Sequence, residues 1–160
     1  MILVDNTVLS NFALVDELPL LKQFCKGLGA TSEYVLSEFE KGVQEGYFKN
    51  PDFSWLTKLD LNTEIERNLF AFLSQRLGAG EASCLVLAIQ RKYDFLSDDL
   101  MVRKMALREG IRVSGSIGVL IELIYKNVVT LERGNELLKG FINKGFFSPV
   151  ERLDHFIKTS

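Results

Sequence analysis

Three short apolar runs, each closed by polar or acidic residues, constrain this chain more than any other feature. Ile2-Leu3-Val4 ends at Asp5-Asn6-Thr7. Asp94-Phe95-Leu96-Ser97 ends at Asp98-Asp99, and Ile111-Arg112-Val113 leads into Ser114-Gly115-Ser116. Runs this short and this apolar suit strands buried on both faces, which is the pattern of a parallel sheet. Helical signals stand between them. Helices are expected over 7–15 and 18–26, with Pro19 in the first turn of the second, and from Ser32 to about Tyr47, with Val35, Leu36, Phe39 and Val43 as the apolar stripe. Asn50-Pro51-Asp52 reads as a loop, and 53–61 as strand-like or irregular. Thr63 and Glu66 read as a capping box whose helix stops at Gly78. Further helices are expected from Glu81, over 99–109, and after Ser116, Thr130 and Pro149. Strands alternating with helices predict an α/β fold, a short parallel sheet with helices on both faces. Residues 1–160 read as a single domain, with 130–160 as a helical C-terminal extension.

The reactive side chains narrow the chemistry. The chain has 160 residues, a formal net charge of −2, one histidine (His155) and two cysteines (Cys25 and Cys84). Three Cys/His candidates do not make a zinc site of the usual kind. His155 lies in a tail segment with no nucleophile elbow, so a histidine-assisted triad is disfavoured. Two cysteines make no disulfide framework, which favours a reducing cytoplasm. No membrane span is expected: the run 82–89 is too short, and the run from Ile117 is broken by Glu122. The N-terminus lacks the basic leader and long apolar core of a signal peptide. A chain with this charge is no general polyanion binder, so any nucleic acid must be met by a local basic patch. An enzyme of this composition relies on carboxylates.

In open parallel sheets, ligands collect beyond the carboxyl ends of strands. Asp5 and the pair Asp98-Asp99 fall there, although an Asp after a strand also serves simply as a helix cap. Glu81 lies in the first turn of its helix, one turn before Leu85, on the side expected to face inward. The alternative for Glu81 is a solvated carboxylate favoured by the helix dipole. Glu38 flanks the Val35-Leu36-Phe39 stripe, where a solvated role is the default.

Taken together these residues resemble a known family. Asp5-Asn6-Thr7-Val8-Leu9 after an apolar strand resembles the opening of a PIN domain. Tyr34-Val35-Leu36-Ser37-Glu38-Phe39 resembles its second acidic position, and Leu77-Gly78-Ala79-Gly80-Glu81-Ala82 the Gly-Glu-Ala element of one prokaryotic subgroup. Leu96-Ser97-Asp98-Asp99 resembles the last acidic position, and Val113 to Leu120 is also similar to that subgroup. The resemblance covers residues 1 to about 125. It departs from the family at Glu81, where many members have Asp.

The resemblance implies a PIN-like fold and a metal-dependent ribonuclease hydrolysing phosphodiester bonds, often the toxin of a toxin–antitoxin pair. It carries over Asp5, Glu38, Glu81 and Asp99 as the acidic tetrad, with Asp98 and Asp99 not separated. Converging carboxylates repel one another, and Mg²⁺ or Mn²⁺ relieves that cost. The expected metal ligands are Asp5 and Asp99, joined by Glu81 and Asp98. Thr7 and Ser116 are the nearest hydroxyls, Ser116 serving either a phosphate or merely its own helix as a cap. Arg103 and Lys104, with Arg108 and Arg112, are candidates for the basic patch. The resemblance implies RNA, an antitoxin-like protein and a second copy in a homodimer as partners, and Phe141, Phe146, Phe147 and Phe156, hard to fit into one core, add to the expectation of a homodimer or tight protein partner. The competing reading is a catalytically weak PIN fold that binds RNA or protein. Receiver and aspartate-nucleophile phosphatase readings are disfavoured by Asp5-Asn6-Thr7, which lacks their acidic pair or Asp-x-Asp.

Overall fold

A computed structural model describes residues 1–158. Five parallel strands form the central sheet: β1 (Ile2–Val4), β2 (Gly29–Ser32), β3 (Thr57–Leu59), β4 (Asp94–Leu96) and β5 (Val113–Ser114), in spatial order β3-β2-β1-β4-β5. The chain builds outward from β1 in one direction through β2 and β3, and in the other through β4 and β5. The switch point therefore lies between β1 and β4, and the crevice beyond their carboxyl ends is where such sheets hold ligands.

Helices α1 (Asn6–Leu14), α2 (Leu18–Cys25), α7 (Ser116–Tyr125) and α8 (Leu131–Asn143) pack together on one face. On the other face α3 (Glu33–Gln44), α4 (Glu64–Leu73) and α6 (Leu100–Arg108) gather around α5 (Ala79–Arg91). Helix α5 is the core of that layer. Eight of its residues, Gly80 and Ala82 to Ala88, are buried, because it runs directly over β1, β2 and β4. The expected α/β architecture is what the chain adopts.

Local signals set most helix starts. Asp5, Ser32, Thr63, Asp99 and Thr130 each cap the helix that follows, and Thr63 and Glu66 complete a capping box. Glu66 also binds Arg91 of α5 through two guanidinium contacts of 2.8 and 3.1 Å, which fastens α4 to α5.

Three expectations need correction. The last strand is displaced from 111–113 to 113–114, because Val113 and Ser114 take the register opposite Phe95 and Leu96, while the Ile111 N–H returns to the Ala106 carbonyl. No helix starts at Pro149. The Ser148 hydroxyl accepts the Val150 N–H in a tight turn, and the tail is clasped instead by Leu153 N–H on Asn135 and the Tyr125 hydroxyl on the Phe156 carbonyl. The C-terminal extension is thus helical over α8, followed by irregular chain and one 3₁₀ turn, Asp154–Phe156, with its last two residues outside the described ones. Of the four phenylalanines, Phe141 is buried and Phe146 packs against it, whereas Phe147 is exposed and Phe156 partly so. Among the described residues no helix is long and apolar enough to cross a membrane.

Candidate acidic active site

Asp5 stands at the switch point and is completely buried. Its Oδ1 accepts the Asn6 N–H at 2.7 Å, and its Oδ2 accepts the Ser97 hydroxyl at 2.8 Å and, more weakly, that of Thr7 at 3.4 Å. Burial first, and then the nearby charges of Glu81 and Asp99, raise its pKa to about 7 against the lowering effect of Ser97 and Asn6. Ser97 couples the two strand ends, because the same hydroxyl accepts the Asp99 N–H at 3.2 Å. Asp99 caps α6 through Oδ1 on Val102 N–H at 3.0 Å.

Glu38 reaches the same region from α3. Its Oε1 accepts the Gly80 N–H at 3.0 Å and its Oε2 accepts the Asn6 side-chain amide at 3.2 Å. Gly80 is required by this approach: a Cβ there falls 2.7 Å from Glu38 Oε2. Glu81, next in sequence, is half-buried. Its pKa is raised by burial first and then by Asp99 and Glu38, with the Gly78 N–H opposing. The four carboxylates of the expected tetrad therefore share one region, linked by Ser97, Asn6 and Gly80. Glu81 stands in the first turn of α5, half-buried and close enough to Asp99 and Glu38 for their charges to act on it.

Asp98 separates from Asp99. Its Oδ1 accepts the Ser116 N–H at 2.8 Å, and its Oδ2 accepts the Ser116 hydroxyl at 2.6 Å and the Asn11 amide at 3.1 Å. The N-cap of α7 is Gly115, which has no side chain to offer, so Asp98 supplies the anion that the helix N-terminus favours. This corrects two expectations. Asp98 is committed to α7 and does not join Asp5, and the buried Ser116 has its N–H occupied by Asp98 and not presented to a phosphate. Thr7 likewise holds the loop, accepting the Asp98 N–H at 2.9 Å.

The expected basic patch is also dispersed. Arg103 turns inward and donates to the Ser97 carbonyl at 3.0 Å, and Arg112 pairs with Asp94 at the opposite, amino end of β4. Lys104 and Arg108 are exposed on α6. Sequence reasoning missed Ser97, Asn11, Asn6 and the Gly80 N–H as positioning groups. Only Gly80, a glycine inside the first turn of a helix next to Glu81, left a visible trace.

The donor set suits a hard divalent cation. It offers carboxylate oxygens, and among the described residues none of the four carboxylates is paired with Lys or Arg. As they stand, no three Asp, Glu, His or Cys side chains among the described residues already form a cage for an ion. Asn6, Gly80 and Val102 hold the oxygens instead.

Gly80→Ala tests the positioning of Glu38 without touching a carboxylate. The added methyl group meets only the flexible end of Glu38, so thermal stability is expected to stay within a few degrees of wild type. Any activity of the site should fall at least tenfold. Wild-type activity in a folded Gly80→Ala protein would dismiss Glu38 from the site.

No curated protein and no solved structure matches this chain. One family model does, over residues 1–160, and it is described as a PIN domain. That span takes in every strand and the four carboxylates Asp5, Glu38, Glu81 and Asp99, and PIN domains are in general nucleases. By that match the chain belongs to the PIN-domain family.

Proposed function

We propose that this protein is a metal-dependent ribonuclease that hydrolyses phosphodiester bonds of RNA at the Asp5, Glu38, Glu81 and Asp99 cluster. The observation that carries the reading is a completely buried Asp5 with two further carboxylates beside it and, among the described residues, no protein cation on any of them. Such a concentration of negative charge is costly for a fold and is retained where a cation is to be held. Asp5, Glu81 and Asp99 would hold Mg²⁺ or Mn²⁺, with Glu38 fixed at their edge by Asn6 and Gly80. Charge neutralisation and Lewis acidity toward a phosphodiester and its attacking water are what such an ion supplies when bound.

The chain's own residues do the positioning. Ser97 locks the Asp5 carboxylate and the Asp99 backbone to one another, so the ends of β1 and β4 act as one rigid unit. Asp98 and Ser116 pin the loop after β4 to α7, which keeps Asp99 turned toward Asp5. Hydrolysis adds water across the P–O bond: its oxygen joins phosphorus, and the departing oxygen leaves with a proton. No histidine is called on for this.

A toxin role, an antitoxin-like partner and a homodimer belong to the same proposal. They are supported by the apolar side chains Ile65 and Phe72, which stand exposed two turns apart on α4. A cytoplasmic setting is supported by two free, buried thiols. The experiment is cleavage of end-labelled single-stranded RNA with Mn²⁺ or Mg²⁺, with and without excess EDTA. Cleavage that appears only with the metal is expected. Full activity in EDTA would defeat the metal-dependent reading, and RNA binding without cleavage in either metal would favour the binding-module reading.

A further inference from the structure

We propose that Phe147 and Lys144 form a subsite for single-stranded polynucleotide beside the acidic cluster, with Phe147 stacking on a base and Lys144 holding a neighbouring phosphate. The inference rests on the nuclease reading and deepens it. A groove of about 380 Å³ is lined on one side by Thr7, Asp98 and Asp99, and on the other by Lys144, Phe146 and Phe147. Asp99, one member of the acidic cluster, therefore borders the same groove as an aromatic ring and a cation from the end of α8.

Backbone geometry puts that ring outside. Lys144 closes α8, and Gly145 follows at φ 109°, a conformation that side chains rarely permit. The reversal turns Phe146 inward, where its ring meets Phe141 at a centroid distance of 6.4 Å. Phe147 is left 94% exposed. An isolated exposed ring at a groove wall has its whole face free for a flat partner, and every nucleobase presents a π-face. Charge points the same way. Carboxylates repel an approaching phosphate chain, so a strand reaching them needs a cation close by. Arg103 and Arg112 are engaged elsewhere, whereas Lys144 lines the groove and makes no ion pair among the described residues.

The groove also continues. Leu14 and Lys144 line a second cavity of about 610 Å³ as well, where three lysines (Lys22, Lys49 and Lys144) outnumber the carboxylates Asp16 and Asp52 and the exposed ring of Tyr47 follows. A strand leaving the acidic cluster past Phe147 thus meets further cations and a second ring, the arrangement of a sequence-tolerant single-strand track.

The test uses a 5′-labelled 12-nucleotide oligouridylate. Its affinity is read by fluorescence anisotropy in EDTA, and its KM and kcat for cleavage in Mn²⁺. Phe147→Ala is expected to weaken binding and raise KM by roughly 5- to 150-fold, the range of one lost base stack, with kcat within about twofold. Phe147→Trp should restore both. Lys144→Ala should reduce the slope of log affinity against log salt by about 0.7, as one lost phosphate contact does on a single strand. An oligomer of the same length lacking its bases should bind wild type no better than the oligouridylate binds Phe147→Ala. If Phe147→Ala keeps wild-type affinity and KM while wild type cleaves, the subsite is overturned and the nuclease reading stands. If wild type neither binds nor cleaves the oligomer, both fall. Loss of self-association by Phe147→Ala in sedimentation, with RNA affinity unchanged, makes the ring a protein contact and overturns the proposal too.

Discussion

Asp5→Asn should abolish cleavage while making the metal-free protein more stable than wild type. The substitution keeps the shape and can still accept the Asn6 N–H or the Ser97 hydroxyl, but it removes a charge from a completely buried position. Folding raises the Asp5 pKa from 3.8 to about 7, so the folded state holds the proton more tightly than the unfolded chain does. Stability from this group is therefore greatest below about pH 4. It declines as pH rises toward 7 and stays at its lowest above that. Asn at this position removes the decline, and at pH 8 in EDTA the mutant should be more stable by at least about 1 kcal/mol. Cleavage in Mn²⁺ should fall by orders of magnitude, because the buried ligand is lost. Mn²⁺ should raise the melting temperature of wild type and raise that of the mutant less, by mass action on the folded state. A mutant no more stable than wild type in EDTA, with the same Mn²⁺ response, would reduce Asp5 to a helix cap, a role Asn fills about as well.

The second large effect lies far from the carboxylate cluster. Arg91→Met leaves the Glu66 carboxylate, 3% exposed, without its only cationic partner among the described residues. Removing one member of a buried pair typically costs about 3 kcal/mol or more, and in a chain of this size that lowers the melting temperature by roughly 6–12 °C. Arg91, followed by the Asn62 and Thr63 N–H groups, holds the Glu66 pKa at about 2, well below its ordinary 4.5. The pair's contribution is present in full above about pH 4.5 and is lost as pH falls toward 2. Glu66→Gln should flatten that acid limb at a smaller cost at neutral pH, since the amide oxygen still accepts the Asn62 and Thr63 N–H groups. Adding Glu66→Gln to Arg91→Met should recover part of the loss. Urea melts at pH 7 and pH 3.5 decide this, and an Arg91→Met protein within about 0.5 kcal/mol of wild type would refute it.

These two carboxylates mark where sequence reading reaches and where it stops. Glu66 is legible because its partners Thr63 and Asn62 lie within four residues, and a capping box closes inside one helical turn. The same locality exposes Ser32 and Thr130, caps whose hydrogen bonds come from three residues on, and the strand-end position of Asp5, which accepts from the adjacent Asn6 N–H. Parallel strands are legible from short apolar runs, since a sheet covered on both faces leaves no polar alternation. The Arg91 contact, spanning 25 residues, was not.

Asp98 and Asp99 are adjacent, chemically identical and follow the same strand, so nothing in their local sequence separates them. The fold does, because successive residues leaving an extended strand point to opposite sides. Asp98 meets the uncapped N-terminus of α7, 18 residues on, and Asp99 turns to cap α6 on the side of Asp5. Arg103 and Arg112 fall the same way: composition counts them as cations, while tertiary contacts spend one on a carbonyl and the other at the far end of β4. Sequence by itself determined which strands end in carboxylates, because that is written in runs of three or four residues. Which carboxylates stay unpaired by protein cations, and which ring and cation border them, was decided only when segments tens of residues apart were packed together, since charge neutralisation depends on distance in space and not along the chain.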